Sequence, residues 1–175
     1  KTTASKILAF KRGPLFSADK AVKELYANKH FKSLIRRSFK INNTNLIKKT
    51  LKKLVLTNKE NIKKLEKLIH PRVRRKMRNF TRQNKNKKFV FYEIPLLIES
   101  KLMKNFNVII FIKANKKIRL KRFKLKKGNK KIFNLLNSNQ MADQKKIKYC
   151  DHVVVNEKNL DILKKDLYDI ISKYE

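Results

Sequence analysis

Apolar residues recur along this chain with two different periods, and the change from one to the other divides it. Residues 2 to 10 read as a helix closed near the Gly13-Pro14 breaker, and LFS at 15 to 17 reads as a short strand. A long helical stretch follows. Within it Leu46, Ile47, Thr50, Leu51 and Leu54 fall on one helical face, as do Ile62, Leu65, Leu68 and Ile69 further on, with Pro71 inside the second pattern as a kink or a boundary. From residue 89 the spacing changes. FVFYEIPLL at 89 to 97, VIIFI at 108 to 112 and HVVVN at 152 to 156 are continuous apolar runs of strand length, the pattern of parallel strands buried on both faces. Helical segments over 115 to 126 and 130 to 148 lie between them, and a last helix places Leu160, Leu163, Leu167, Ile170, Ile171 and Tyr174 on one side. Strands alternating with helices predict an α/β fold, with a parallel sheet covered on both faces and ligand at the carboxyl ends of its strands.

Composition narrows the class. The 175 residues, 41% hydrophobic with 11 Phe, suffice for one substantial core, and no repeat or Pro/Gly linker marks a second independent domain. With Gly13 and Gly128 as its glycines, the chain is expected to build its turns on Asn, Asp, Ser and Pro. The longest apolar run is strand-sized, far short of the ~20 residues that cross a bilayer, so no membrane association is expected. Cys150 is the single cysteine, and the start of the chain lacks the pattern of a secretion signal, so a reducing, cytoplasmic location is expected. His30, His70 and His152 lie far apart with no C-x-x-C beside them, which argues against a His/Cys metal site.

Charge is the loudest feature: 48 Lys+Arg against 13 Asp+Glu give +35. Such a balance attracts nucleic acid, anionic lipid or phosphorylated small molecules. The cations are 38 Lys and 10 Arg spread along nearly the whole chain, whereas sequence-reading surfaces favour Arg in a restricted patch. With 18 Asn and 17 Ile beside them, they match the composition of proteins from AT-rich genomes, and no specific nucleic-acid partner is expected.

Lys1-Thr2-Thr3 followed by a helical pattern looks like the tail of G-x-x-x-x-G-K-[ST], where lysine reaches the β and γ phosphates and the hydroxyl holds magnesium. Alone this is a weak signal, and an ordinary helix start accounts for it. The order that follows is more specific: SADKAV at 17 to 22, LEKLIHPRV at 65 to 73, EIPLLIES at 93 to 100, KIRLKR at 117 to 122, NSNQ at 137 to 140 and CDHVVVN at 150 to 156. In this order and spacing the chain resembles the dephospho-coenzyme A kinases, which show G-K-[ST]-T, D-A-D, L-E-x-I-x-H-P, D-x-P-L-L-x-E, an arginine-bearing lid helix, a glutamine and A-D-x-V-I-x-N. The P-L-L-x-E element with the upstream L-E-x-x-x-H-P is the most specific part.

The resemblance implies a three-layer P-loop NTPase fold with a parallel sheet of five strands, a helical acceptor-binding insertion and a lid. It divides one domain, 1–175, into a core (1–18, 89–114 and 149–175), an acceptor-binding region (19–88) and a lid (115–148). It implies transfer of the ATP γ-phosphate to the ribose 3′-hydroxyl of dephospho-coenzyme A, with Mg2+. Carried over by position, Lys1, Thr2, Thr3 and Asn156 bind the nucleotide, and Thr2 and Glu93 hold the metal. Asp19 orients or deprotonates the acceptor hydroxyl and so also touches the acceptor, while Arg122 and Lys126 meet the phosphates when the lid closes. His70 and Glu99 fall on the acceptor side. Local alternatives stand beside these roles: Asp19 as a helix N-cap before Lys20, Arg122 and Lys126 as a solvated basic face, Asn156 as a turn residue, and His70-Pro71 as shaping the helical region.

The chain departs from the family pattern at Ser17 for the first Asp of D-A-D, at Glu93 for the Asp before P-L-L, and at Thr44 where arginine is usual. No first strand and no P-loop glycine precede Lys1, so the expectation is a chain cut just before the P-loop lysine, with a sheet lacking a central strand, and inactive as written. Two other readings remain open: another small-molecule or nucleoside monophosphate P-loop kinase, and a basic nucleic-acid-binding protein.

Overall fold

A computed structural model describes residues 1–42 and 47–175, so the readings of Thr44 and Leu46 fall outside it. Two compact units result: Lys1–Leu15 with Glu93–Glu175, and Phe16–Tyr92.

The unit Phe16–Tyr92 is built on the helices α2 (Ala18–Ala27), α3 (Lys29–Phe39), α4 (Ile47–Thr57) and α5 (Lys59–Gln83). Side chains start α2, α3 and α5: Ser17 Oγ accepts from Lys20 N, Asn28 Oδ1 from Phe31 N at 3.0 Å, and Asn58 Oδ1 from Glu60 N at 2.7 Å. Each such cap satisfies one of the N–H groups a helix start leaves unpaired. Leu25, Phe31, Ile35, Ile41, Ile47 and Leu51 form the core, and Leu65, Leu68, Ile69 and Val73 of α5 pack on it. The two helical stripes seen in the sequence thus face one another, and α5 runs through Pro71 without ending there. The rings of Phe16, Phe80 and Tyr92 pack at 5.5 to 6.0 Å, and the Thr81 and Tyr92 hydroxyls bond at 2.6 Å.

In the other unit α1 (Thr2–Ala9) and α9 (Leu160–Ile171) pack together through Ala4, Leu8, Leu163, Leu167 and Ile171. The strands β3 (Ile110–Lys113) and β4 (His152–Val155) are parallel, with Ile110 opposite His152. The crossover between them carries α6 (Lys116–Leu125), α7 (Lys130–Ser138) and α8 (Asp143–Ile147). Asn115, Asn129 and Asn159 cap α6, α7 and α9, so with Asn28 and Asn58 five of the 18 asparagines serve helix starts. Where α6 turns into α7, Phe123 lies over Gly128 so closely that a Cβ there would meet the ring at 2.2 Å.

The strands β1 (Leu15–Ser17) and β2 (Phe91–Glu93) form a second two-stranded sheet, and the boundary between the units runs through both. Among the described residues the strands thus form two separate two-stranded sheets.

Four expectations change. The strand read over 89 to 97 ends at Glu93, because Pro95 has no N–H for a ladder and the chain turns over Pro95–Lys101 instead. The helix read over 130 to 148 is two helices. It breaks at Ser138-Asn139, whose side chains compete for backbone partners; Ser138 Oγ donates to the Leu135 carbonyl at 2.9 Å. The last strand is not buried on both faces: Val153 and Val155 are 39% and 50% exposed, since β4 alternates as a strand with one covered face does. Turns rest on lysine as well as on Asn, Asp, Ser and Pro, with Lys11, Lys40, Lys101 and Lys127 all at positive φ.

The last point is testable at Lys40, which closes α3 at φ 50, ψ 45, with a 3.0 Å bond from Ile41 N to the Arg36 carbonyl. A side chain in the left-handed region costs roughly 1 kcal/mol that glycine does not. Lys40→Gly is expected to stabilise the protein by about that amount, read as a higher Tm; an unchanged or lower Tm would contradict it.

Candidate active site

The site grows from the start of α1. Lys1 is the residue before the helix, and Thr2 opens it, so the first N–H groups and the positive end of the helix dipole lie beside both side chains. Thr2 Oγ1 donates to Glu93 Oε1 at 2.5 Å, and Lys1 Nζ donates to the Pro95 carbonyl at 3.2 Å. Glu93 is 6% exposed. A hydroxyl and a carboxylate 91 positions apart are thus joined at the end of β2. Thr3 stands exposed on the same first turn.

Cations converge on this point. Glu93, Lys126 and Arg122 all lie close enough to Lys1 to act on it electrostatically. One carboxylate and three basic side chains therefore share a single electrostatic neighbourhood. Lys126 closes α6, and Arg122, one turn earlier, donates to the Asn156 carbonyl at 3.0 Å. Asn156 in turn donates its N–H to the Lys113 carbonyl at 2.8 Å, extending the β3–β4 ladder by one bond. Glu157 accepts from Asn115 N at 2.7 Å and from its side-chain amide at 3.2 Å, which ties the start of α6 to the same loop.

Lys1, Thr2 and Glu93, with Arg122, Lys126 and Asn156, therefore gather in one unit. Asp19 and His70 belong to the other. Asp19 lies in the first turn of α2, but the N-cap is Ser17, whose Oγ accepts from Lys20 N. The local alternative of Asp19 as cap is thereby corrected: Ser17 is the residue with the extended backbone that a cap requires. His70 is half-buried within α5.

Glu99 lies in the same unit as Lys1, Thr2 and Glu93. Its Oε1 accepts from Lys146 Nζ at 2.9 Å and from Met141 N at 2.9 Å. The side chain of Lys146 is 4% exposed and also reaches Gln140 Oε1 at 3.4 Å. Sequence reading passed over Lys146. It sits in the run Lys145-Lys146-Ile147-Lys148 of a lysine-rich chain, and nothing in composition separates a buried lysine from its solvated neighbours. Glu99 and Gln140 fall in two separate motif segments, and in the structure they share Lys146 as a partner.

Burial alone would raise the Glu99 carboxyl, but hydrogen bonds from Lys146, its own backbone N–H and Met141 outweigh it, and the pKa falls below the ordinary 4.5. A carboxyl depressed in the folded state contributes stability that is complete above the unfolded value and is lost as pH falls through the folded one. Thermal melts taken downward through the acid range are expected to show this loss setting in below about 4.5, with a shallower acid limb in Glu99→Gln. Identical acid limbs would show that the pair carries no such linkage.

The family profile described as CoaE: Dephospho-CoA kinase matches residues 1–161. The dephospho-CoA kinase of Bartonella quintana (strain Toulouse) is 33% identical over 162 residues, 90% of this chain and 83% of that relative. That of Fusobacterium nucleatum subsp. nucleatum is 33% identical over 174 residues, 94% of this chain and 88% of that relative. Among solved structures, the crystal structure of TT1252 from Thermus thermophilus superposes with a TM-score of 0.77 at 24% identity, covering 98% of this chain and 90% of its own. The dephospho-CoA kinase from Campylobacter jejuni superposes at 0.63 and 22% identity, covering 99% and 91%. These two likenesses show the α/β fold alone, and the profile with the relatives shows the family: the chain belongs to the dephospho-CoA kinase family.

Proposed function

We propose that the chain carries out its family's reaction, transfer of the ATP γ-phosphate to the 3′-hydroxyl of dephospho-coenzyme A, with Lys1, Thr2 and Glu93 forming the phosphate end of the site. The observation that carries this reading is the 2.5 Å bond between Thr2 and Glu93, because it joins the K-T-T start to the E-I-P-L-L element at one point.

The donor set there fits magnesium. Mg2+ takes hard oxygen ligands, keeps several waters and is held by one or two carboxylates together with substrate phosphates. Thr2 and Glu93 supply one hydroxyl and one carboxylate, and among the described residues no cluster of three His, Cys, Asp or Glu offers a fuller cage. When bound, the ion would offset the negative charge of the β and γ phosphates. Glu93 supplies the carboxylate that the family pattern gives to aspartate, reaching one methylene further.

Lys1 neutralises the β and γ phosphates, and Thr3 follows on the same turn. Asp19 orients the 3′-hydroxyl or takes its proton as that oxygen attacks the γ-phosphorus; the bond to the β–γ bridging oxygen breaks, and ADP leaves with the pair. Arg122 and Lys126 stabilise charge on the phosphoryl oxygens as the lid, 115–148, closes, and Arg122 gives up the Asn156 carbonyl to do so. Asn156 serves the loop beside the adenine. The helical region 19–88 holds the acceptor, with His70 shaping it. Glu99 serves the acceptor side, its carboxylate held in place by Lys146 and Met141 N. A cytoplasmic site of action agrees with the lone Cys150 and with the absence, among the described residues, of a helix long and apolar enough to cross a membrane.

The assay uses the full reading frame, so that whatever is encoded before Lys1 is included, and offers dephospho-coenzyme A beside a panel of nucleoside monophosphates. Turnover of dephospho-coenzyme A with ATP and magnesium is expected, and turnover of a monophosphate alone would reject the acceptor. In single-turnover measurements Asp19→Asn is expected to slow transfer by ~10²- to 10⁴-fold with ATP affinity nearly unchanged. Arg122→Ala should slow it by about 10²-fold, and Lys145→Ala, in the neighbouring basic run, by less than about twofold. Equal small losses in all three would replace the catalytic reading with general basicity.

A further inference from the structure

Lys146 is unlike the rest of the lysines described. Its residue is 3% exposed, its ammonium pairs with Glu99 at 2.9 Å and reaches Gln140 at 3.4 Å, and it lies 5.8 Å from the centre of the Phe111 ring. A buried ammonium is costly unless it is paired and hydrogen-bonded, so this side chain holds its partners in one arrangement.

What it holds is the turn that leaves the site. Glu93 ends β2 with its bond to Thr2; two residues on, the Pro95 carbonyl takes the Lys1 ammonium. The chain then coils over Pro95–Lys101 through bonds from Ser100 N to Leu96 O at 2.9 Å, Lys101 N to Ile98 O at 2.9 Å and Leu102 N to Leu97 O at 3.1 Å. Ile98 anchors the turn in the core, and Glu99 projects from it to Lys146 and to Met141 N. One end of a single short turn is therefore fastened to Lys1 and Thr2, and the other to α8, which follows α6 and α7 and packs on β3.

We propose that Lys146 is a positioning residue for phosphoryl transfer: through Glu99 it fixes the 95–101 turn, and through the turn it sets Glu93 and the Pro95 carbonyl against Thr2 and Lys1. The proposal rests on the kinase reading of the site. It also gives Glu99 and Gln140 a shared function that contact with substrate does not require. Because α8 closes the segment read as the lid, the pair joins the root of that segment to the phosphate end of the site.

The test uses the full-length protein and the variants Lys146→Met, Lys146→Arg, Glu99→Gln and Lys146→Met/Glu99→Gln. The first readout is amide hydrogen exchange without substrate. Lys146→Met is expected to speed exchange at Ser100, Lys101, Leu102 and Met141 while the amides of α9 keep their protection. The second is kinetic. Lys146→Met should lower kcat by about 10²-fold, the cost of misplacing a reacting group by about an ångström, with KM for ATP little changed. Lys146→Arg should restore most of the rate, and the double variant should be no slower than Lys146→Met, since the two side chains act as one unit.

Unchanged exchange in the turn overturns the proposal, as does a loosened turn with unchanged kcat. So does a rate loss that merely follows loss of protection in α9 and is not rescued by arginine. A wild-type protein that phosphorylates a nucleoside monophosphate instead removes the acceptor assignment alone, and the same variants are then read on that substrate. A wild-type protein with no phosphoryl transfer at all overturns both.

Discussion

The bond between the Thr2 hydroxyl and the Glu93 carboxylate fixes where two distant stretches of chain meet, and the rest of the site is arranged about that junction. In a chain with 48 basic and 13 acidic side chains, carboxylates are the scarce component. Several of them sit where segments must be joined. Glu93 joins β2 to α1, Glu99 joins the following turn to α8, and Asp151 receives Ile109 N at 2.7 Å where β3 and β4 begin to pair. Glu157 grips Asn115 at the other end of that pair. Each acceptor engages a donor that a lysine could not satisfy, because lysine has no acceptor atom. Most of the excess positive charge thus lies on the surface, while these few acids join segments of the unit that carries the site, Glu93 from a buried position and Asp151 and Glu157 from exposed ones.

How far the sequence could be read follows from what each signal depends on. The runs at 15 to 17, 108 to 112 and 152 to 156 were legible because strand-length apolar segments bounded by polar residues have few alternatives, and β1, β3 and β4 lie on them. The run at 89 to 97 was too long because hydrophobicity does not register the missing N–H of Pro95, although Pro95 itself was visible. Asp19 and Ser17 both favour a helix start, and choosing between them needed the backbone angles, which put Ser17 in the extended conformation. The gathering of Lys1, Thr2 and Glu93 with Arg122, Lys126 and Asn156 was legible by family pattern, which assigns roles by position. Lys146 was not, because burial of one lysine among 38 is decided by tertiary packing.

Lysine abundance has structural traces of its own. Four lysines occupy left-handed turn positions where glycine or asparagine fits with less strain. Lys64 and Lys88 lie over the faces of Phe39 and Phe89 at 5.3 and 5.5 Å, where the long stem covers apolar surface and the ammonium remains near water. These are uses of lysine as a general-purpose surface residue, and they support an origin of the +35 charge in composition. The positive field still favours the encounter with polyanionic substrates, and ATP and dephospho-coenzyme A both carry phosphates.

The central claim is that Thr2 and Glu93 make the phosphate end of the site by holding a metal jointly with the nucleotide. The most direct measurement is calorimetric titration of ATP, with and without magnesium, into the wild-type protein and Glu93→Gln, a change that keeps the side-chain shape and a hydrogen-bonding partner for Thr2. The account predicts that magnesium tightens ATP binding in the wild type, that Glu93→Gln removes about 10-fold or more of this gain, and that metal-free ATP binds both proteins alike. An equal gain from magnesium in both proteins would contradict it.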